Sequence, residues 1–83
     1  MKLVRVVQTS SAAPLTWDAW TSDGQLLHLR YRFGVGTVTP HDADEPATRF
    51  GRLSMQDREI TLQDFCERAG LHLAPDPGAG TGA

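Results

Sequence analysis

The segment from Leu15 to Phe33, LTWDAWTSDGQLLHLRYRF, constrains this chain more than any other. Two runs of alternating apolar and polar residues flank Ser22-Asp23-Gly24, which is how a β-hairpin is written in local residues. The segment holds both tryptophans, the only tyrosine and one of the three phenylalanines. A domain of about this size buries only roughly 60–65% of the surface its unfolded chain exposes. The hairpin is therefore expected to carry most of the core.

Its register follows from the faces it would create. A two-residue Asp23-Gly24 turn sets Asp18 opposite Leu29 and Trp17 opposite Arg30, mixing charge into both faces. A three-residue loop, with Gly24 in the left-handed bulge position, pairs Trp17 with Leu29, Ala19 with Leu27 and Leu15 with Tyr31. One face then carries Leu15, Trp17, Ala19, Leu27, Leu29, Tyr31 and Phe33 and is expected to be the core. The other carries Thr16, Asp18, Trp20, Leu26, His28, Arg30 and Arg32 and is expected to face outward.

Flanking segments suit a small sheet. Leu3 to Gln8 is rich in β-branched residues and reads as a strand. Glycine within a strand pattern marks a bend or a close backbone approach, so at Gly34-Val35-Gly36-Thr37-Val38 the hairpin's second strand either bends and continues or turns into a short fourth strand, the bend being preferred. Pro40 to Pro46, PHDADEP, is an acidic loop, and Thr48 to Met55 is a further candidate strand. Thr61 as N-cap, Asp64 at N3 and Gly70 just past the end delimit a two-turn helix, with Ile60 and Phe65 as a staple and Leu71 near Cys66. Its stripe of Leu62, Phe65, Cys66 and Ala69 is expected to lie on the apolar face of the sheet. These elements imply an α+β fold: a small twisted antiparallel sheet of three to five strands with one short C-terminal helix. The single domain would span 1–73, and residues 74–83, almost devoid of large side chains, form an expected flexible tail.

Composition excludes several classes. Hydrophobic residues at 40% and charged residues at 22% are globular values and argue against disorder. The formal charge of −2 provides no whole-molecule attraction to nucleic acid or anionic membrane. No window approaches a membrane span, and Arg5 interrupts the apolar run near the N-terminus that a signal peptide would need. One cysteine, Cys66, permits neither an internal disulfide nor a multi-cysteine zinc site. A cytoplasmic protein is expected.

Chemistry is harder to find. His28, His41, His72, Cys66 and the acidic residues Asp42, Asp44 and Glu45 could in principle ligate a metal, but none pair at ligand spacing within one element. Cys66 stands in the helix stripe, where cysteine behaves as a small hydrophobe. No helix start follows Gly34-Val35-Gly36-Thr37 to aim amides at a phosphate. The serines have no neighbouring base. The expectation is a non-enzymatic protein without metal or cofactor. The sharpest feature is the outer face of the hairpin, where Trp20 and Leu26 mix with His28, Arg30 and Arg32, a combination suited to an acidic partner or single-stranded nucleic acid. The plainer account is a solvated face on which Asp18 pairs with His28 or Arg30 and arginine stems shield Trp20. One small basic patch on a net-negative chain supports few phosphate contacts, so a protein partner is expected ahead of nucleic acid.

The run Trp17-Asp18-Ala19-Trp20-Thr21, then Asp23-Gly24-Gln25, Leu29-Arg30-Tyr31-Arg32 and Gly34, Gly36-Thr37-Val38, resembles a group of small proteins of actinobacteria and their bacteriophages. Leu62 to Leu71, LQDFCERAGL, is similar to their C-terminal part. The resemblance covers about half the chain and rests on a structural motif. It implies an actinobacterial or phage-borne accessory protein, and it implies no catalytic residue. The function expected is a small protein-interaction module, with exposed sheet edges favouring a homodimer.

Overall fold

The computed structural model describes residues 2–12 and 14–74. In chain order its elements are β1 (Lys2–Ser10), β2 (Leu15–Thr21), β3 (Leu26–Arg32), β4 (Val35–Pro40), β5 (Thr48–Gly51), α1 (Leu62–Ala69) and β6 (His72–Leu73). The strands form one sheet in the order β5-β4-β3-β2-β1-β6. Every pairing is antiparallel except β1 with β6, which is parallel.

The hairpin of β2 and β3 takes the three-residue register. Leu15 pairs with Tyr31, Trp17 with Leu29 and Ala19 with Leu27. The loop closes through Thr21 N–H to the Gln25 carbonyl at 2.9 Å and Gly24 N–H to the Thr21 carbonyl at 3.0 Å, with Gly24 at φ 88°. All six of those paired side chains are buried and form the middle of the core. Phe65 of α1, fully buried, meets Trp17 at a ring-centroid distance of 5.5 Å and Phe50 of β5 at 4.9 Å. Cys66, Leu71 and Leu3 complete the layer. Thr61 caps α1 by accepting the Asp64 N–H at 3.1 Å. At the other end Gly70 is left-handed and Leu71 N–H reaches the Cys66 carbonyl at 2.8 Å, the six-to-one bond of a Schellman motif.

The expected fold class is corrected in both strand number and strand direction. The protein is mostly sheet: six mixed strands curl into a half-barrel with one short helix, in place of a three- to five-stranded antiparallel sheet covered by a helix. Two segments account for the difference. Phe33 and Gly34, at φ 46° and 88°, form a two-residue turn with both residues left-handed, and Arg32 pairs directly with Val35. The chain therefore reverses where it was expected to bend, and β4 is a separate strand. After α1, His72 and Leu73 add β6 beside Lys2 and Leu3, and the Ala74 N–H donates to the Leu3 carbonyl at 2.8 Å. Two residues are too few to show a strand pattern in sequence.

Strand β1 also departs from strict alternation. Leu3 pairs with Thr21 and Arg5 with Trp20, a bulge that brings both Leu3 and Val6 to the core and leaves Val4 exposed. Strand β5 stops at Gly51, well short of Met55. The expected tail lies, beyond Ala74, outside the described residues.

Candidate functional site

The face of the sheet opposite the core is ordered by strand register into rows. Asp18, His28 and Thr39 are successive cross-strand partners, and so are Thr16, Arg30, Thr37 and Arg49. Arg32 and Val35 form the next pair towards the β3–β4 turn. These rows floor a groove of about 730 Å³. One wall comes from the turn residue Phe33 and from Leu53 and Met55, which follow β5.

Tight backbone packing builds that wall. The Ser54 N–H donates to the Phe33 carbonyl at 2.6 Å. A Cβ on Gly34 would collide with the Arg52 carbonyl, so only glycine lets segment 52–55 lie against the turn. Leu53 and Met55 are held at the groove with 71% and 61% of their surface exposed, an apolar rim beside a basic floor.

Asp18, His28 and His41 form a hydrogen-bonded chain. Asp18 Oδ1 lies 2.9 Å from His28 Nδ1, and His28 Nε2 lies 3.0 Å from His41 Nδ1. Where His28 donates Nδ1–H to Asp18, its Nε2 is left to accept from His41. His41 is placed by its own N–H, which donates to the Leu26 carbonyl at 2.9 Å. The Asp18–His28 contact is the only pairing of a carboxylate with a basic side chain within 4 Å among the described residues. Arg30, Arg32 and Arg49 therefore reach the groove with no carboxylate partner among those residues.

Of the five residues singled out in the sequence, His28, Arg30 and Arg32 line the groove together. Trp20 and Leu26 pair with each other on the same face, beyond His28 and outside the groove. Both are half-buried, and the Arg5 guanidinium lies 4.9 Å above the Trp20 ring. Asp18 thus pairs with His28 as the solvated-face account holds, but the arginine covering Trp20 is Arg5 of the neighbouring strand. Phe33 is displaced from the expected core face: the turn it opens ends the alternation and directs it to the groove, where the Arg32 guanidinium lies 5.6 Å from its ring.

Sequence reasoning missed Thr37, Arg49 and His41. Alternation about Phe50 could have turned Arg49 outward, but nothing local says that β5 pairs with β4. His41 approaches His28 only through the β3–β4 pairing, 13 residues apart in sequence.

Cys66 is buried in the core, and burial pushes its thiol pKa up, away from the thiolate form that reacts. Among the described residues no three potential metal ligands converge, and no helix is long and apolar enough to cross a membrane. Comparison with protein-family models, with curated proteins and with solved structures finds no match to the chain.

Proposed function

We propose that the protein is a small non-enzymatic interaction module that receives an acidic segment of a partner protein on the outer face of its sheet. The observation that carries this is the convergence of Arg30, Arg32 and Arg49 on one groove, without carboxylate partners among the described residues, in a chain whose net charge is −2. Local charge opposite in sign to the whole selects an acidic ligand and steers its approach. Trp20 and Leu26 on the same face beyond the groove, and Leu53 and Met55 on its rim, offer the apolar anchors that charge alone lacks. The non-enzymatic reading is supported by Cys66, the one thiol of the chain, which lies in the core.

In this proposal the protein works in the cytoplasm of an actinobacterium, as an accessory factor carried by a phage or mobile element, and acts on a host or phage protein. Self-association into a homodimer belongs to it as well, supported by the exposed Val4, Val7, Leu53 and Met55; a single monomeric species in sedimentation would remove that part.

Affinity capture from the native host tests the site. The partner is expected to be retained by the wild-type bait and lost from Trp20→Ala combined with Arg30→Ala. Equal capture by both baits overturns the assignment. Nucleic acid is the competing outcome, and salt separates it. Binding that falls by orders of magnitude between about 50 and 200 mM salt would indicate phosphate-backbone contacts; an acidic segment anchored by apolar contacts should lose much less.

A further inference from the structure

We infer that the groove is a binding site for a small organic phosphate, with the phosphoryl group in the row Arg30, Thr37, Arg49 and an apolar body against Phe33, Val35, Leu53 and Met55. This goes beyond the partner-protein proposal, which uses the same arginines, and is distinguished from it by Trp20 and Leu26, which lie outside the groove.

The register supplies the geometry. Thr37 pairs with Arg30 on one side and with Arg49 on the other, and all three line the groove. Neighbouring strands are about 4.8 Å apart, so Arg30 and Arg49 stand on the strands to either side of Thr37. Arg32, two residues along β3, lines the same groove, its guanidinium 5.6 Å from the Phe33 ring. Thr16, at the end of the row, already shares its hydroxyl with Thr9 at 2.6 Å, whereas the Thr37 hydroxyl has no protein partner among the described residues.

Charge and shape favour a phosphoryl group over a single carboxylate. Among the described residues Asp18 is the only carboxylate lining the groove, and it is bonded to His28. Three guanidiniums facing one monoanion would leave uncompensated positive charge. A tetrahedral dianion presents three terminal oxygens, which guanidinium forks and a hydroxyl bind as charge-assisted donors. The volume, about 730 Å³, falls within the range of roughly 300–1,000 Å³ typical of small-molecule sites. The apolar wall lies beside the basic row, so an ester with an apolar body can occupy both.

The test is an amide NMR titration of the full chain in phosphate-free buffer at constant ionic strength, with phenyl phosphate, inorganic phosphate and phenol as separate probes. Phenyl phosphate should give saturable shifts at Arg30, Thr37 and Arg49 and at Phe33 and Leu53, binding about tenfold tighter than inorganic phosphate, with phenol inert. Thr37→Val and Arg49→Gln should each weaken phenyl phosphate by about tenfold or more while the spectrum stays folded. Trp20→Ala should leave the affinity unchanged even if it abolishes capture of a protein partner, so the two proposals fail separately. Absence of saturable shifts, or binding unaffected by both Thr37→Val and Arg49→Gln, overturns the site. Inorganic phosphate binding as tightly as the ester overturns the organic ligand. An unphosphorylated acidic peptide that takes the same residues more tightly than the ester overturns the phosphoryl assignment.

Discussion

Thr21 is the only buried polar residue among the described core positions, and both functions of its hydroxyl are used. It accepts the Gln25 N–H at 2.9 Å and donates to the Asp23 carboxylate, tying the end of β2 across the loop. Thr21→Val keeps the β-branched shape but removes both bonds and leaves the Gln25 N–H without its acceptor. A loss of about 1–2 kcal/mol is expected in urea unfolding. Asp23 is the pH-sensitive part of the same contact. The Thr21 hydroxyl, and then its own backbone N–H, hold its carboxyl below the usual carboxylate range. A carboxyl depressed in the folded state stabilises above its unfolded pKa, and that contribution disappears as pH falls through the depressed folded value. The urea midpoint of wild type should therefore exceed that of Asp23→Asn at pH 6, with the gap closing in acid below about pH 4. Cys66 provides a third check: iodoacetamide at pH 8 should label the native chain far more slowly than the urea-unfolded one, since burial both shields the thiol and raises its pKa.

Among the elements, the β2–β3 hairpin and α1 were legible because their signals are local. Trp17 and Leu29 meet across a loop whose length shows in Ser22-Asp23-Gly24, and both ends of α1 are marked by capping residues within a few positions. The turn at Phe33-Gly34 was not legible. A left-handed phenylalanine is disfavoured on its own, and Ser54, whose N–H bonds its carbonyl, lies about twenty residues along the chain. Gly36 is legible as a close approach but not as an approach to Phe50. A Cβ there would overlap the Phe50 ring, which packs against Phe65 and lies 6.4 Å from the Tyr31 ring centroid. Gly36→Ala is expected to push that ring out of place and destabilise by about 1–3 kcal/mol, measured by thermal or urea unfolding. The candidate site shows the same division. His28, Arg30 and Arg32 are found from alternation within one strand, whereas Thr37, Arg49 and His41 join them only through pairings between strands.

At the scale of the whole molecule, the sheet runs from the four-residue β5 at one edge to the two-residue β6 at the other. Short edge strands limit the backbone available for pairing with another sheet. β6 also covers the edge of β1 at Leu3, one of the most completely buried side chains. Truncation after Gly70 would remove Leu71 from the core and leave the β1 edge unpaired. A lowered unfolding midpoint and greater aggregation on heating are expected, both readable by light scattering during a thermal ramp. The sequence by itself determined the hairpin with its register and unlike faces, the helix with its caps, and the outward setting of three basic residues. Each follows from side chains within one or two turns or strands of each other, where period and turn chemistry decide the outcome. Only the tertiary structure decided that the sheet has six mixed strands, that Phe33 leaves the core, and that Arg49 and Thr37 stand beside Arg30. Those outcomes depend on which distant backbones hydrogen-bond and pack together, and no local pattern of residues carries that choice.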